Sequence, residues 1–409
     1  MTIIETIPIK SSRNFPSYGE TRRGLRRFGT KAGKRDIRLG GKVSNVFPGD
    51  DLQKIINSLD NAGGGTLFFS RGTYIIGTAL SGKSAIQFVG ENTSTTILDF
   101  NSTAANLAFA GTSAYAVGTI TSIVGGVTVT GSGTSWLANV TTDHQFFIAQ
   151  RWYKIAAVTS DTELVLAEGY QGGATFPGAA YRAVKVIKDI EVRDLTLKNS
   201  TGTALDFDDV RNVFLEDCEI IDNNKGFTMD NCAEVDVSGL IIPSNTSNGC
   251  EFNTCGLVNV NGLATPSNGG HGVVMSSVRT GSFIASSSDS NTSDGVNITG
   301  SSDVLLIYSV NANGGQGIEL VSGNTGILIQ SSNVGSNTGD GIKLTATSDD
   351  TIISNSQINS NGAYGVNVAA STDDNNLIIG NKFAGNVTAA YTDSGTGTLI
   401  RSNIGATDN

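Results

Sequence analysis

Proline is scarce in this 409-residue chain, six residues against 51 glycines. That ratio, with few leucines, argues against an ordinary helical or doubly wound protein and for something repetitive. Histidine is scarcer still, with only His144 and His271. Cysteine is confined to Cys218, Cys232, Cys250 and Cys255, which lack the close pairing or histidine partners that a zinc site or a disulfide framework needs. They read as stacked, reduced core thiols, and neither a metal nor a cofactor is expected. No stretch approaches about 18 consecutive apolar residues, so no membrane insertion is expected. No charged segment followed by an apolar run opens the chain, so no secretory signal peptide is expected either. Regularly placed aliphatic and aromatic residues exclude disorder as the meaning of the Gly/Ser/Asn/Thr richness.

The net charge of −10 hides an asymmetry. Residues 1–42 carry eleven Lys/Arg against Glu5, Glu20 and Asp36, a local balance of +8 that leaves −18 on the remainder. A basic arm ahead of an acidic body reads as an attachment segment for an acidic partner, with Arg22, Arg23, Arg26 and Arg27 at its centre. Other proteins of an assembly, or a neighbouring copy, are the expected partners rather than nucleic acid.

What is present is a repeat. Glycines at 202, 226, 249, 272, 295, 317, 341 and 365 are spaced by 22 to 24 residues, the period of a solenoid. After each glycine, apolar residues stand at the first and third positions, as in Phe227/Met229, Cys250/Phe252, Val296/Ile298 and Ile342/Leu344. That is a strand with one face buried. A second β-rich run in each unit, such as Val258-Asn259-Val260 or Ile327-Leu328-Ile329, makes one coil of two or three short strands. Identical coils must then stack in parallel, about 4.8 Å apart. Asn245, Asn268, Asn291, Asn313, Asn337 and Asn361 lie four residues before their glycines, with Asp222 in the first unit, and predict a hydrogen-bonded amide ladder. Leucine-rich repeats share the period but need a leucine scaffold and helices that are absent.

Upstream, Asp51 followed by Leu52, Ile55, Ile56 and Leu59 predicts a capped amphipathic helix laid over the first coil. The run LQKIINSLDNAGGGTLFFSRGTYIIGTAL, followed by SAIQFVGENTSTTILDF, resembles the start of the pectate-lyase-like right-handed parallel β-helix superfamily. The resemblance is close over 50–101 and generic over 184–400. It implies an all-β, single-stranded β-helix with an N-terminal capping helix. The superfamily holds polysaccharide lyases, pectin hydrolases, uronate epimerases and bacteriophage tailspikes, so it speaks to fold far more than to reaction.

From 117 to 183 the coil rhythm stops, and alternation with turn signals predicts an inserted antiparallel barrel or sandwich. The expected organisation is therefore an arm (1–42), a cap with first coils (43–116), the insertion (117–183) and the remaining coils (184–409). TVTGSGTSW, WYKIAAVTSDTELVL and GAAY make the insertion similar to a module of phage tail and tailspike proteins. Trp136, Trp152, Tyr153 and Tyr170 concentrate there. Such rings stack on sugars, or else form the module's own core or dock it onto the β-helix.

For chemistry, the register counted from the glycines places Asp206 and Asp230 in one outward column and Glu251 in the next. Like charges about 5 Å apart raise a carboxyl pKa, and a glycosidase needs only one protonated and one ionised carboxyl. A lyase or C5-epimerase needs cationic help to neutralise a uronate, and beyond residue 200 only Arg211, Lys225, Arg279, Lys343, Lys382 and Arg401 are basic. Gly270-His271-Gly272 echoes a pectin-hydrolase triplet, but the accompanying segment reads Asn253-Thr254-Cys255, so His271 reads as the variable residue before a glycine. The combined expectation is a tailspike-like, external virion protein, homotrimeric, that binds a host-surface glycan. A glycan depolymerase and a purely structural decoration protein are the alternatives.

Overall fold

The computed structural model describes residues 28–30, 33–35, 42–122, 124–171 and 176–405. Arg22, Arg23, Arg26 and Arg27 lie outside them. Within the arm, Phe28–Thr30 and Gly33–Arg35 pair as an antiparallel hairpin. Residues from 41 onward form a separate compact unit.

That unit is a parallel β-solenoid. Each coil visits three sheets, called here I, III and II in the order the chain meets them. Gly65–Phe69, Ile86–Gly90, Ile187–Arg193 and Val210–Glu216 lie in sheet I, and Gly72–Ile75, Thr96–Thr103 and Thr196–Ser200 in sheet III. Sheet II has eleven strands, from Leu80–Ser81 through Thr203–Asp208 and Lys225–Asp230 to Ala389–Asp393. The alternating residues read from sequence all point inward: Phe227, Met229, Cys250, Phe252, Val273, Met275, Val296 and Ile298 are fully buried in one continuous core. Removing each large apolar side chain from water contributes about 1.5–3 kcal/mol, which the short strands alone could not supply.

The repeated glycines are steric rather than conformational. A Cβ on Gly317 would sit 2.5 Å from the Gly341 carbonyl oxygen and 2.7 Å from Asn337 Nδ2, and one on Gly341 would meet Gly365 and Asn361 in the same way. The glycine thus makes room for the next coil's main chain and for the amide ladder. In that ladder Asn245 Oδ1 accepts from Asn223 N and Nδ2, Asn268 Oδ1 from Asn245, and Asn291 Oδ1 from Asn268, at 2.9–3.1 Å. It continues through Asn313, Asn337 and Asn361 to Asn386. The first rung is Asn223 and not Asp222. Asp222 instead takes the left-handed corner (φ 57°), and the turn to Gly226 is one residue shorter than in later coils.

The helix Leu52–Asn61 starts at Asp51, whose side chain accepts from Lys54 N, and buries Leu52, Ile56 and Leu59. It also closes an edge. Gln53 Nε2 donates to Ser81 O (3.1 Å) and Gln53 Oε1 accepts from Ser81 N (2.8 Å), so one side-chain amide satisfies the first strand of sheet II.

The four cysteines are free and buried, with burial pushing the Cys218 thiol up to about 12. Between Thr112–Tyr115 and Arg182–Lys185 the chain leaves the solenoid at the corner from sheet II to sheet I. There an eight-stranded antiparallel sheet encloses its own core, which includes Ile120, Val129, Phe146, Ile155 and Leu164.

Candidate functional site

Sheet II presents its outward residues to solvent as columns, one residue per coil. Main-chain pairing sets Asp206 opposite Thr228, Thr228 opposite Glu251, and Asp208 opposite Asp230. Asp206 and Glu251 therefore share a column, while Asp230 belongs to the next one with Asp208 and Asn253. This corrects the register counted from glycines. The place of Gly226 is taken in the preceding coil by Ala204, two residues beyond Gly202, because the apolar pair there is Leu205/Phe207. Asp206 and Asp230 are diagonal neighbours, with Cα atoms about 7–8 Å apart, whereas Asp208 and Asp230 face each other directly. The diagonal suits an inverting pair of carboxyls and the direct pair a retaining one.

Burial raises the Asp206 carboxyl above its ordinary value, the charges of Asp230 and Asp208 add to this, and Lys225 opposes it. Burial also raises Asp230; a hydrogen bond from Asn253 pulls it down while Asp208 and Glu251 push it up. Glu251 Oε1 is held by Lys225 Nζ at 2.7 Å and by Asn248 Nδ2 at 2.8 Å. Four carboxyl groups and one ammonium thus form a compact polar cluster. Counting from glycines put Asp208 two residues beyond Asp206 but not opposite Asp230, and it missed Lys225 and Asn248 because they precede the strand's apolar pair.

Further along the same face, His271 Nδ1 lies 3.2 Å from Asp294 Oδ2, Asn297 Nδ2 bridges Asp294 Oδ2 (3.0 Å) and Glu319 Oε2 (3.2 Å), and Lys343 Nζ is 3.5 Å from Glu319 Oε1. Burial alone would raise Asp294, but His271, Asn297 and the Gln316 N–H hold it below its ordinary value. His271 also belongs to a second ladder built by the residue before each glycine. Asn248 Oδ1 accepts from His271 N, His271 Nδ1 from Asp294 N, Asp294 Oδ1 from Gln316 N and Asp340 Oδ1 from Tyr364 N. It is the variable residue before the glycine, with a structural bond of its own.

The inserted module docks beside the Asp208–Asp230 column. Trp152 Nε1 donates to Asn231 O at 3.0 Å, and the indole packs with Phe147, Val184 and Ala233. Arg182 binds Asp209 with Nε and a terminal nitrogen, and Arg211 reaches Gln145 Oε1 at 3.2 Å. Between module and solenoid lies a cavity of about 100 Å³ lined by Gln150, Arg151, Gln171, Leu257, Arg279 and Asp303.

The aromatic residues singled out from sequence build this arrangement from inside. Trp136 is 0 %, Tyr170 1 %, Tyr153 2 % and Trp152 3 % exposed. Trp136 Nε1 donates to Tyr181 Oη, and Tyr153 and Tyr170 pack in the same core. None of the four offers a ring face to solvent: Trp136, Tyr153 and Tyr170 belong to the module's own core, and Trp152 docks the module onto the β-helix.

The family model described as the right-handed beta helix region matches residues 258–404. The A-module of mannuronan C-5 epimerase AlgE6 from Azotobacter vinelandii is similar at TM-score 0.54 and 17% identity, covering 86% of this chain and 94% of that one. The AlgE4 A-module from the same organism gives 0.55 at 15% identity with the same coverage. The chain folds as a right-handed parallel β-helix. The Gp54 tailspike of Acinetobacter baumannii bacteriophage AP22, solved with a capsular saccharide, covers 91% of this chain and 76% of its own at 12% identity and TM-score 0.45. No curated protein sequence matches the chain. At these identities the likeness is one of fold, and the β-helix's own residues must carry any functional reading.

Proposed function

We propose that this β-helix is a tailspike-like virion appendage that binds a host-surface glycan along the outward face of sheet II, as a homotrimer held to its particle through the basic arm. The observation that carries the reading is the polar strip on that face. Asp206 and Glu251, then Asn297, Glu319, Lys343 and Asn367 beyond the single apolar rung Val274, offer hydrogen-bonding or charged groups on coils about 4.8 Å apart, while the Thr228 hydroxyl between the first two is buried. A linear polymer of hydroxyls can meet such a strip with a contact at most of its coils. The module docks at the corner beside the strip's first coils, through Asp209, Asn231 and Ala233, and Arg151 and Arg279 line the joint together with Asp303. Similarity of the inserted segment to phage tail modules supports the virion assignment.

A second reading, a glycoside hydrolase, is favoured by the raised Asp206 and Asp230 carboxyls beside Asp208 and Glu251. One can hold a proton for the leaving oxygen while another stays ionised. Incubating the full chain with a panel of purified capsular polysaccharides and lipopolysaccharide O-chains, followed by size-exclusion of the polysaccharide, separates the readings. Co-elution without shortening supports the binder. Shortened chains with new reducing ends move the assignment to the hydrolase, and neither result with any glycan leaves a structural decoration protein and overturns the proposal.

A further inference from the structure

Sheet I changes character part-way along the β-helix. Its outward column reads Asp236, Asn259, Ser282 and then Leu305, Leu328, Ile352, Leu377, Leu399, each paired in register with the next. The neighbouring outward column carries Ile284, Ile307 and Ile379. The residues between these columns, Leu306, Ile329, Ile353, Ile378 and Ile400, point inward and are buried. From Leu305 onward the strands are therefore apolar on both faces, which is the composition of a sheet covered on both sides. The inner cover is the β-helix core. On the outside Ile352 and Leu399 stand 37 % and 36 % exposed.

We infer that this stripe is the face on which a second copy of the chain packs. The inference rests on the oligomeric appendage reading above and names the surface that reading leaves open. Charge selects the occupant. Residues 43–409 carry −18, so two bodies repel wherever their carboxylate faces meet, yet these two outward columns from Leu305 to Arg401 carry no charge except Arg401 itself. A basic partner would be drawn instead to the carboxylate columns of sheet II. Geometry agrees. Five aliphatic rungs form a straight stripe about 19 Å long, parallel to the coil-stacking direction. Rotation about an axis parallel to that direction sets the stripe of each copy beside its neighbour's along the full length, in a closed assembly. Gln330, Ser354, Asn333 and Gln357 flank it on one side as a polar rim that ends in Lys382, and Asp303 and Asp350 stand on the other.

Sedimentation velocity of the full chain tests the assignment, comparing the wild type with Leu328→Glu/Ile352→Glu and with Thr299→Glu on sheet II as a control for added charge. We expect an oligomeric wild type and control, and a double variant that sediments as a folded monomer with an unfolding temperature close to wild type. Should the glutamates prevent folding, Leu328→Ser/Ile352→Ser keeps the test, with an expected weakening of association of about 100-fold. A folded double variant that stays oligomeric overturns this face while leaving the appendage reading intact. A wild type that is monomeric throughout overturns both the face and the trimer.

Discussion

The indole Nε1 of Trp152 donates a 3.0 Å hydrogen bond to the main-chain carbonyl of Asn231, 79 residues along the chain and on the corner next to Asp230. This bond ties the inserted module to the coil that carries the carboxylates. Truncating the side chain empties the small cluster of Phe147, Val184 and Ala233 and leaves the carbonyl without its donor. Trp152→Ala should cost about 3–5 kcal/mol of docking stability. The expected outcome is two thermal transitions where the wild type shows one, with protease cuts at the edges of the 112–185 segment while the solenoid stays intact.

The buried amide ladder predicts a steep asymmetry between a buried and an exposed asparagine. Asn268→Ala leaves the N–H and the amide of Asn245 without their acceptor and removes the donor to the Ile242 carbonyl. At about 1–3 kcal/mol per orphaned group, the loss should be on the order of 3–5 kcal/mol. The control is Asn259→Ala, on the outer face of sheet I, which should change stability by about 0.5 kcal/mol or less. Urea unfolding of the two variants measures the difference.

At Gly317 a methyl group has nowhere to go, since the Gly341 carbonyl and the Asn337 amide of the next coil already occupy its space. Gly317→Ala should destabilise by about 1–3 kcal/mol, although alanine has the higher intrinsic preference for ordered structure. A stabilised variant would show that the glycine serves the turn alone.

The carboxyl cluster makes stability depend on pH in a defined direction. Asp206 and Asp230 have folded-state values raised above the ordinary 3.8. Their contribution is therefore fully present below that value and is lost as pH rises through the raised folded values. Asp206→Asn and Asp230→Asn should each stabilise the protein at pH 7, and the gain over wild type should vanish at about pH 3, below the ordinary carboxyl value. Thermal melts across that range check it; a loss of stability at pH 7 in both variants would contradict the electrostatic account.

Much of this was legible in the sequence, and the exceptions have physical causes. The 22–24-residue glycine period reported the solenoid because most of these glycines, Gly226, Gly249, Gly295, Gly317, Gly341 and Gly365, face a main-chain carbonyl of the next coil. It misplaced Asp206 because alternation has a period of two and cannot tell Gly202 from Ala204 as the start of a strand. Asp222 and Asn223 were confused for a similar reason, a turn one residue short. Trp136, Trp152, Tyr153 and Tyr170 stood out by type, but whether a ring faces sugar or core depends on long-range packing such as Trp152 on Asn231. The aliphatic stripe was visible as Leu305-Leu306-Ile307 and Leu377-Ile378-Ile379, yet only the register shows that the first and third residues of each run face outward and that the first lines up from coil to coil.

The central claim is that sheet II is the glycan-binding face, and binding of the co-eluting polysaccharide to immobilised protein tests it most directly. The comparison sets the wild type against Glu251→Gln/Asn297→Ala/Glu319→Gln on sheet II and against Asn259→Ala/Ser282→Ala on sheet I. The account predicts that the sheet II variant binds at least about 10-fold more weakly, the equivalent of one good hydrogen bond, while the sheet I variant is unchanged. Equal affinity in all three proteins, or no glycan retained by the wild type, would contradict it.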